Sequence, residues 1–439
     1  MGLRRLIAIV LFAGYVGSAQ AQPAIAATEK APVRFAAAAD SSNEPRGDWP
    51  CWRGASGTNH SGDEQAPVEW SSTDNVLWKV AVPGRGYASP CIVGDHIFLP
   101  SADDKEKTQF LLCFARDDGH LLWREQLRSG GLPPINKFNS HASATAACDG
   151  ESVYVALVSD DQLWVSAVSL AGELLWQQSV GGYQHANGFG ASPLLHGNLV
   201  IVASDNQLDP AIVALNGADG TTAWKTERRK SDNSATPVVG TVAGRKQLLL
   251  NGAYSANSYD PDTGKEIWHV SHGTEVVACT MAFDDENVYA SGNVPEKKML
   301  AVRGDGQGDV TGSHVLWTTT REVTYVPSPI CVGKHLFIVN DSGTAFCRDS
   351  RTGKVIWKER LGGNFFSSPV LAAGNLYATN DAGVTYVFRA GPEFELVAKN
   401  DIGETCMATP VFCGGRVYLR TSDHLYCIGS GSSAPSSAP

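Results

Sequence analysis

The chain has 439 residues, 43% of them hydrophobic and 18% charged, with a formal net charge of −10. That hydrophobic content excludes a disordered protein, and no apolar run reaches the ~18 residues of a membrane-spanning helix. The acidic balance argues against a nucleic-acid binder, which needs a basic face. An excess of glycine (45 residues, about 10% against a usual ~7%) and of tryptophan (11) requires an explanation.

The N-terminus reads as an export signal. Arg4 and Arg5 precede an apolar run from Leu6 to Val16, and Ala19-Gln20-Ala21 supplies small residues for cleavage after Ala21. Residues 1–21 are thus expected to be a signal peptide, placing the protein in the periplasm or outside the cell. No cysteine follows closely enough for lipid attachment, so a lipoprotein is not expected. Residues 22–47, rich in Ala, Pro and Ser, read as a flexible linker, and residues 429–439 as a disordered tail. The ten cysteines include no adjacent pair and no C-x-x-C; Cys91, Cys113, Cys331, Cys347, Cys413 and Cys427 sit in apolar runs, as small buried hydrophobes do.

From Val76 onward the chain repeats. Glycine followed four residues later by tryptophan recurs at Gly119/Trp123, Gly172/Trp176, Gly220/Trp224, Gly264/Trp268 and Gly353/Trp357. Trp78 and Trp317 keep the beat after turns of other sequence. A second mark, Ser/Thr-Pro, stands at Ser89, Ser192, Thr236, Ser328, Ser368 and Thr409. Thr145 and Thr280 fill the two remaining beats without the proline, which makes eight. Between the marks lie short apolar runs separated by Gly turns, with almost no helical periodicity. Four short strands per ~40–50 residues predict an all-β fold, a single eight-bladed β-propeller of four-stranded antiparallel blades over residues 48–428.

The phase of the repeat predicts how the ring closes. The first mark is a Trp strand, Val76–Val80, whereas the last unit, Cys406–Ile428, has three strands and no Trp strand. The N-terminal strand is therefore expected to complete the last blade, removing an open edge. Trp78, Trp123, Trp176, Trp224, Trp268, Trp317 and Trp357 read as wedges between blades.

The unit Pro261-Asp262-Thr263-Gly264-Lys265-Glu266-Ile267-Trp268 and its copy ending at Trp357 resemble the pyrroloquinoline-quinone-type propeller repeat. The opening Asp48-Trp49-Pro50-Cys51-Trp52-Arg53-Gly54 and Pro67-Val68-Glu69-Trp70 resemble secreted bacterial single-propeller members of that superfamily. One branch resembles the propeller subunit of the outer-membrane β-barrel assembly machinery; it implies a non-enzymatic scaffold that binds an envelope protein or peptide. The other branch, the quinone-dependent alcohol dehydrogenases, implies pyrroloquinoline quinone with Ca²⁺ in the funnel beneath an adjacent Cys-Cys pair. This chain lacks that pair, so the scaffold is the leading expectation and no cofactor is expected; an oxidoreductase or other funnel-centred enzyme is the alternative, and a carbohydrate-binding propeller a third.

Loops entering each Ser/Thr strand should cluster at one mouth of the channel. Candidate ligand-binding residues there are Arg85 and Tyr87, Asn139 and His141, His185 and Asn187, Glu275 and Tyr325, and Asn364 and Phe365. Asn136, Phe189, Asn233 and Glu404 fall in the same loops. No catalytic residue and no metal site are expected. His269 and His272 are spaced to point to opposite faces of a strand, and Asp305-Gly-Gln-Gly-Asp309 reads as a plain turn.

Overall fold

The computed structural model describes residues 47–429, all within one compact unit. The expected signal peptide and nearly all of the expected linker and tail lie outside the described residues. Within them no helix is long and apolar enough to cross a membrane.

Eight antiparallel sheets follow one another around a ring. Blade 1 contains the strands Cys91–Val93, His96–Asp103, Thr108–Ala115 and Leu121–Ser129, ordered from the channel outward. Blades 2 to 7 repeat this plan over 147–182, 194–227, 238–271, 282–319, 330–360 and 370–401. Blade 8 takes three strands from 411–428 and its outermost strand, Val76–Ala81, from the other end of the chain, in the register Val76↔Ile428 to Ala81↔His424. The predicted closure is thus present. Middle strands are covered on both faces by neighbouring blades and read as unbroken apolar runs, as in Phe110–Phe114, where every residue is buried. Outer strands face water on one side and alternate: Val76–Ala81 is half-buried at every other residue.

The two sequence marks are the joints between blades. Each turn glycine lies against the tryptophan of the preceding blade, so a Cβ on Gly220 would come within 2.6 Å of the Trp176 ring, and one on Gly353 within 2.5 Å of Trp317. The same glycines hold positive φ, 73° at Gly220 and 70° at Gly353, so two requirements converge on one residue. The indole N–H then donates across the joint: Trp123 to Leu170 O, Trp176 to Gly217 O, Trp224 to Pro261 O, Trp317 to Ser350 O and Trp357 to Gly391 O. Trp268 departs from this pattern. Its N–H bonds within its own blade, to Gln247 Oε1 at 2.7 Å, and it is wholly buried. A fifth strand also runs beside it: Gly308–Asp309, read from sequence as part of a turn, pairs in parallel with Trp268 and His269 along the outer edge of blade 4.

The Ser/Thr beat forms a second set of joints around the channel. The backbone N–H of Ser89 donates to Thr145 Oγ1, Thr145 to Ser192 Oγ, and Ser192 to Thr236 Oγ1. Thr280 likewise donates to Ser328, Ser328 to Ser368, and Ser368 to Thr409, at 2.9–3.0 Å. Six of the eight joints are thereby stitched by a hydroxyl that only Ser or Thr supplies at that position; those between blades 4 and 5 and between blades 8 and 1 lack the bond, and the Ser89 hydroxyl is buried without a partner.

Residues 48–63 were not expected to do more than open the domain. They instead cross the channel end opposite the mouth and hydrogen-bond to six blades. Trp49 pairs with Ile92 of blade 1, and Pro50 O accepts the N–H of Cys148 in blade 2. Trp52 donates to Thr280 of blade 5, Arg53 to Pro329 O of blade 6 and Asn59 to Pro369 O of blade 7, while Asp63 accepts from Gly414 and Gly415 of blade 8. The channel is therefore a blind funnel with Trp52 at its floor. All ten cysteines are buried and none is in a disulfide; burial pushes thiols such as Cys113 and Cys148 up to about 12, leaving them protonated and unreactive.

Candidate functional site

The strand period of two decides what the funnel wall is made of. Two residues before each Ser/Thr of the beat stand Tyr87, Ser143, Gly190 and Ser234 in blades 1 to 4. Ala278, Val326, Phe366 and Met407 follow in blades 5 to 8. All eight face one recess of about 310 Å³, together with the Ser/Thr residues of blades 3 to 8. The residue between the two marks points the other way, into the joints, and is small and buried: Ala88, Ala144, Ala191, Ala235, Cys279, Ser367 and Ala408. A regular repeat thus produces a ring of eight variable side chains around one cavity.

That ring is chemically lopsided. Blades 6, 7, 8 and 1 contribute Tyr325, Val326, Phe366, Met407 and Tyr87, an aromatic and apolar arc. Blades 2 to 5 contribute Ser143, Gly190, Ser234 and Ala278, with Asn136, Asn139 and Asn187 at the rim above them. Phe138, half exposed on the blade 1–2 loop, reaches across the mouth and stacks on Phe366 with ring centroids 5.4 Å apart. Trp52 closes the bottom, its N–H donating to Thr280 Oγ1 at 3.0 Å. None of the twenty lining residues carries a formal charge.

Of the residues anticipated from sequence, Tyr87, Asn136, Asn139, Asn187 and Tyr325 line this recess. Asn139 is also a strut: it donates to Asn187 O at 2.7 Å and accepts from Ser143 Oγ at 2.6 Å. Tyr325 is presented by Asp341, whose carboxylate accepts the N–H groups of Tyr325 and Val326. Its own phenol is pushed up by burial and then by the nearby Asp341 charge.

The other anticipated residues brace the rim. Arg85 donates to Tyr87 Oη and Asn139 O. His141 is bound between Asp104 and Pro133 O. His185 stacks on Tyr183 and is buried, which lowers its pKa. Phe189 packs edge-on against Tyr183, and Asn233 is buried against Ser231 and Val277. Glu275 accepts from Tyr254, and Asn364 donates to Asp381. Glu404 is held by Lys79, Thr421, His424 and Tyr426. Phe365 lies in the core, and its neighbour Phe366 takes the place in the wall; strand alternation separates the two. Trp52, Phe138, Ser143, Ala278, Val326, Phe366 and Met407 were missed, although the wall positions were available from the spacing to the Ser/Thr beat.

The metal readings can be placed as well. His269 bonds to Glu266, whereas His272 bonds to Asn251 and Thr274. Asp305 pairs with Arg303 and His314. Asp117, Asp118 and His120 form the one group of potential metal ligands among the described residues, and all three are exposed on a turn.

The sequence profile of the family described as outer membrane protein assembly factor BamB matches the chain over residues 57–188, 111–359 and 309–390, most of its length. The chain belongs to that family. No curated protein matches it in sequence. Among solved structures, BamB from Moraxella catarrhalis superimposes with a TM-score of 0.58 at 13% identity, over 82% of this chain and 98% of that one. A europium-containing methanol dehydrogenase gives 0.59 at 11% identity, over 88% and 98%. Quinohemoprotein alcohol dehydrogenase from Comamonas testosteroni gives 0.60 at 11% identity, over 88% and 81%. At such identities the BamB family member shares a fold with both BamB and the dehydrogenases, and its own side chains must separate the two.

Proposed function

We propose that this BamB family member is an exported, non-enzymatic binding propeller of the cell envelope, with the blind funnel as its binding site. The observation that carries the reading is the uncharged lining. Pyrroloquinoline quinone bears three carboxylates and is held with Ca²⁺, so it requires cations for the acid groups and carboxylates for the metal. The funnel offers neither. The charged groups around its rim, Arg85, Glu275, Glu404 and Asp341, do not line it and are occupied by partners, Asp341 by the Tyr325 and Val326 N–H groups. No histidine, carboxylate or lysine faces the recess; its only acid–base groups are the phenols of Tyr87 and Tyr325, and burial raises that of Tyr325 further above neutrality. A pocket with a few converging polar groups on an apolar wall suits recognition instead.

The experiment is to incubate purified protein with pyrroloquinoline quinone and Ca²⁺, remove free cofactor, and assay dye reduction with short alcohols and aldoses. The proposal expects no retained quinone and no turnover. Stoichiometric retention with dye reduction would replace it with the oxidoreductase reading.

A further inference from the structure

The hydrogen-bond inventory of the funnel is unbalanced in one direction. Ser192, Thr236, Ser328, Ser368 and Thr409 each accept a backbone N–H, and Thr280 accepts the Trp52 indole N–H. None of these six hydroxyls donates to any protein atom among the described residues, so six O–H groups around the recess are left seeking acceptors. The Tyr325 phenol, in blade 6, likewise has no protein partner among the described residues. A ligand that answers this arrangement is rich in oxygen and uncharged, since a charge would lose its hydration here without a counter-charge. It must also present an apolar face to Tyr87, Tyr325, Phe366 and Trp52. A pyranose ring has both features, with C–H bonds on its faces and hydroxyls around its edge. The volume of about 310 Å³ is at the low end of the ~300–1,000 Å³ of small-molecule sites, which suits one or two rings and not a long polymer.

We infer that the funnel is a binding site for a neutral carbohydrate of one or two rings, packed on the aromatic arc and hydrogen-bonded by the Ser/Thr belt. This deepens the binding reading above and rests on it. An aromatic peptide side chain is the competing occupant; it would fill the apolar arc but leave the hydroxyl belt without acceptors, at a cost.

The test titrates the full chain with cellobiose, maltose and diacetylchitobiose, and with digalacturonate as the anionic control, by calorimetry and saturation-transfer NMR. At least one neutral sugar is expected to bind saturably and digalacturonate is not. Tyr325→Phe should weaken that sugar about 3–10-fold by removing one hydrogen bond, and Phe366→Ala at least about tenfold by removing the stacking face. Tyr325→Phe deletes only an unpartnered hydroxyl, so its fold is preserved and its result stands whether or not Phe366→Ala folds. No saturation with any neutral sugar, tighter binding of digalacturonate, or binding indifferent to both substitutions would each overturn the inference. The quinone experiment fails separately, so the binding reading survives the loss of the carbohydrate.

Discussion

Gly220 should be far less replaceable than Gly94, although both are turn glycines at positive φ, 73° and 55° respectively. Alanine in that backbone region costs about 1–2 kcal/mol. At Gly94 that is the whole effect, since nothing lies within 4 Å of the added Cβ. At Gly220 the Cβ would come 2.6 Å from the Trp176 ring, with further ring atoms at 2.8 and 3.1 Å. The indole cannot retreat without giving up its hydrogen bond to Gly217 O at 2.7 Å. Forced overpacking adds about 1–3 kcal/mol, so Gly220→Ala should cost about 2–5 kcal/mol and Gly94→Ala about 1–2. Urea unfolding followed by far-UV circular dichroism measures both, through the midpoint shift at constant slope. Because the two sites share an interface, Gly220→Ala/Trp176→Ala should cost less than the sum of its parts, by about 0.5–3 kcal/mol. Equal losses for Gly94→Ala and Gly220→Ala, or strict additivity in the double variant, would refute the wedge.

Glu404 ties the closing strand to blade 8. Desolvation raises its pKa, but hydrogen bonds from Lys79, Thr421, Tyr426 and His424 outweigh that and bring it down to about 2. A depressed carboxylate stabilises above its unfolded pKa and stops doing so as pH falls through the folded value. Wild-type stability should therefore drop between about pH 4.5 and 2 more steeply than that of Glu404→Gln, measured by urea midpoints across that range. His60, beneath the funnel, is lowered to about 4 chiefly by its burial, despite its bond to Cys331 O and with Arg53 adding to the shift. The unfolded chain then holds more protons between about pH 6.5 and 4, so stability falls as pH drops through that window. Hydrogen exchange of residues 49–63 should accelerate there, and His60→Asn should flatten the dependence. Thr145→Val removes the acceptor for the buried Ser89 N–H at 3.0 Å and should cost about 1–3 kcal/mol, with Thr145→Ser restoring most of it.

The sequence made the propeller legible because each blade joint imposes a residue type that nothing else satisfies. Glycine at positive φ beneath an indole and a hydroxyl beside the preceding blade's N–H are local demands, and they recur visibly. The closing strand was legible for the same reason, as a repeat begun out of phase. The segment 48–63 that closes the channel was not, because Trp49, Arg53 and Asn59 bond to backbone atoms of distant blades and keep no period. Nor was the fifth strand of blade 4, since the two residues Gly308–Asp309 are too short to show alternation. The site was half legible. Loop polarity selected Tyr87, Asn139, Asn187 and Tyr325, which line the recess, together with Arg85, His141, Glu275 and Glu404, which bond to other protein groups instead. Polar residues are conspicuous in a loop whichever way they point. The reliable signal was positional: two residues before the Ser/Thr beat places a side chain in the funnel, whatever its chemistry, which is how Phe366 and Met407 come to be there.

Occupancy of the funnel by a component of the envelope is tested most directly by site-specific photocrosslinking. A benzophenone amino acid replacing Phe138, at the mouth, is compared with one replacing Leu175, exposed on the outer edge of blade 2. After irradiation in envelope extract, an adduct at position 138 and none at 175 is the predicted result. Equal labelling at both positions, or none at 138 in protein shown to be folded, would contradict the account.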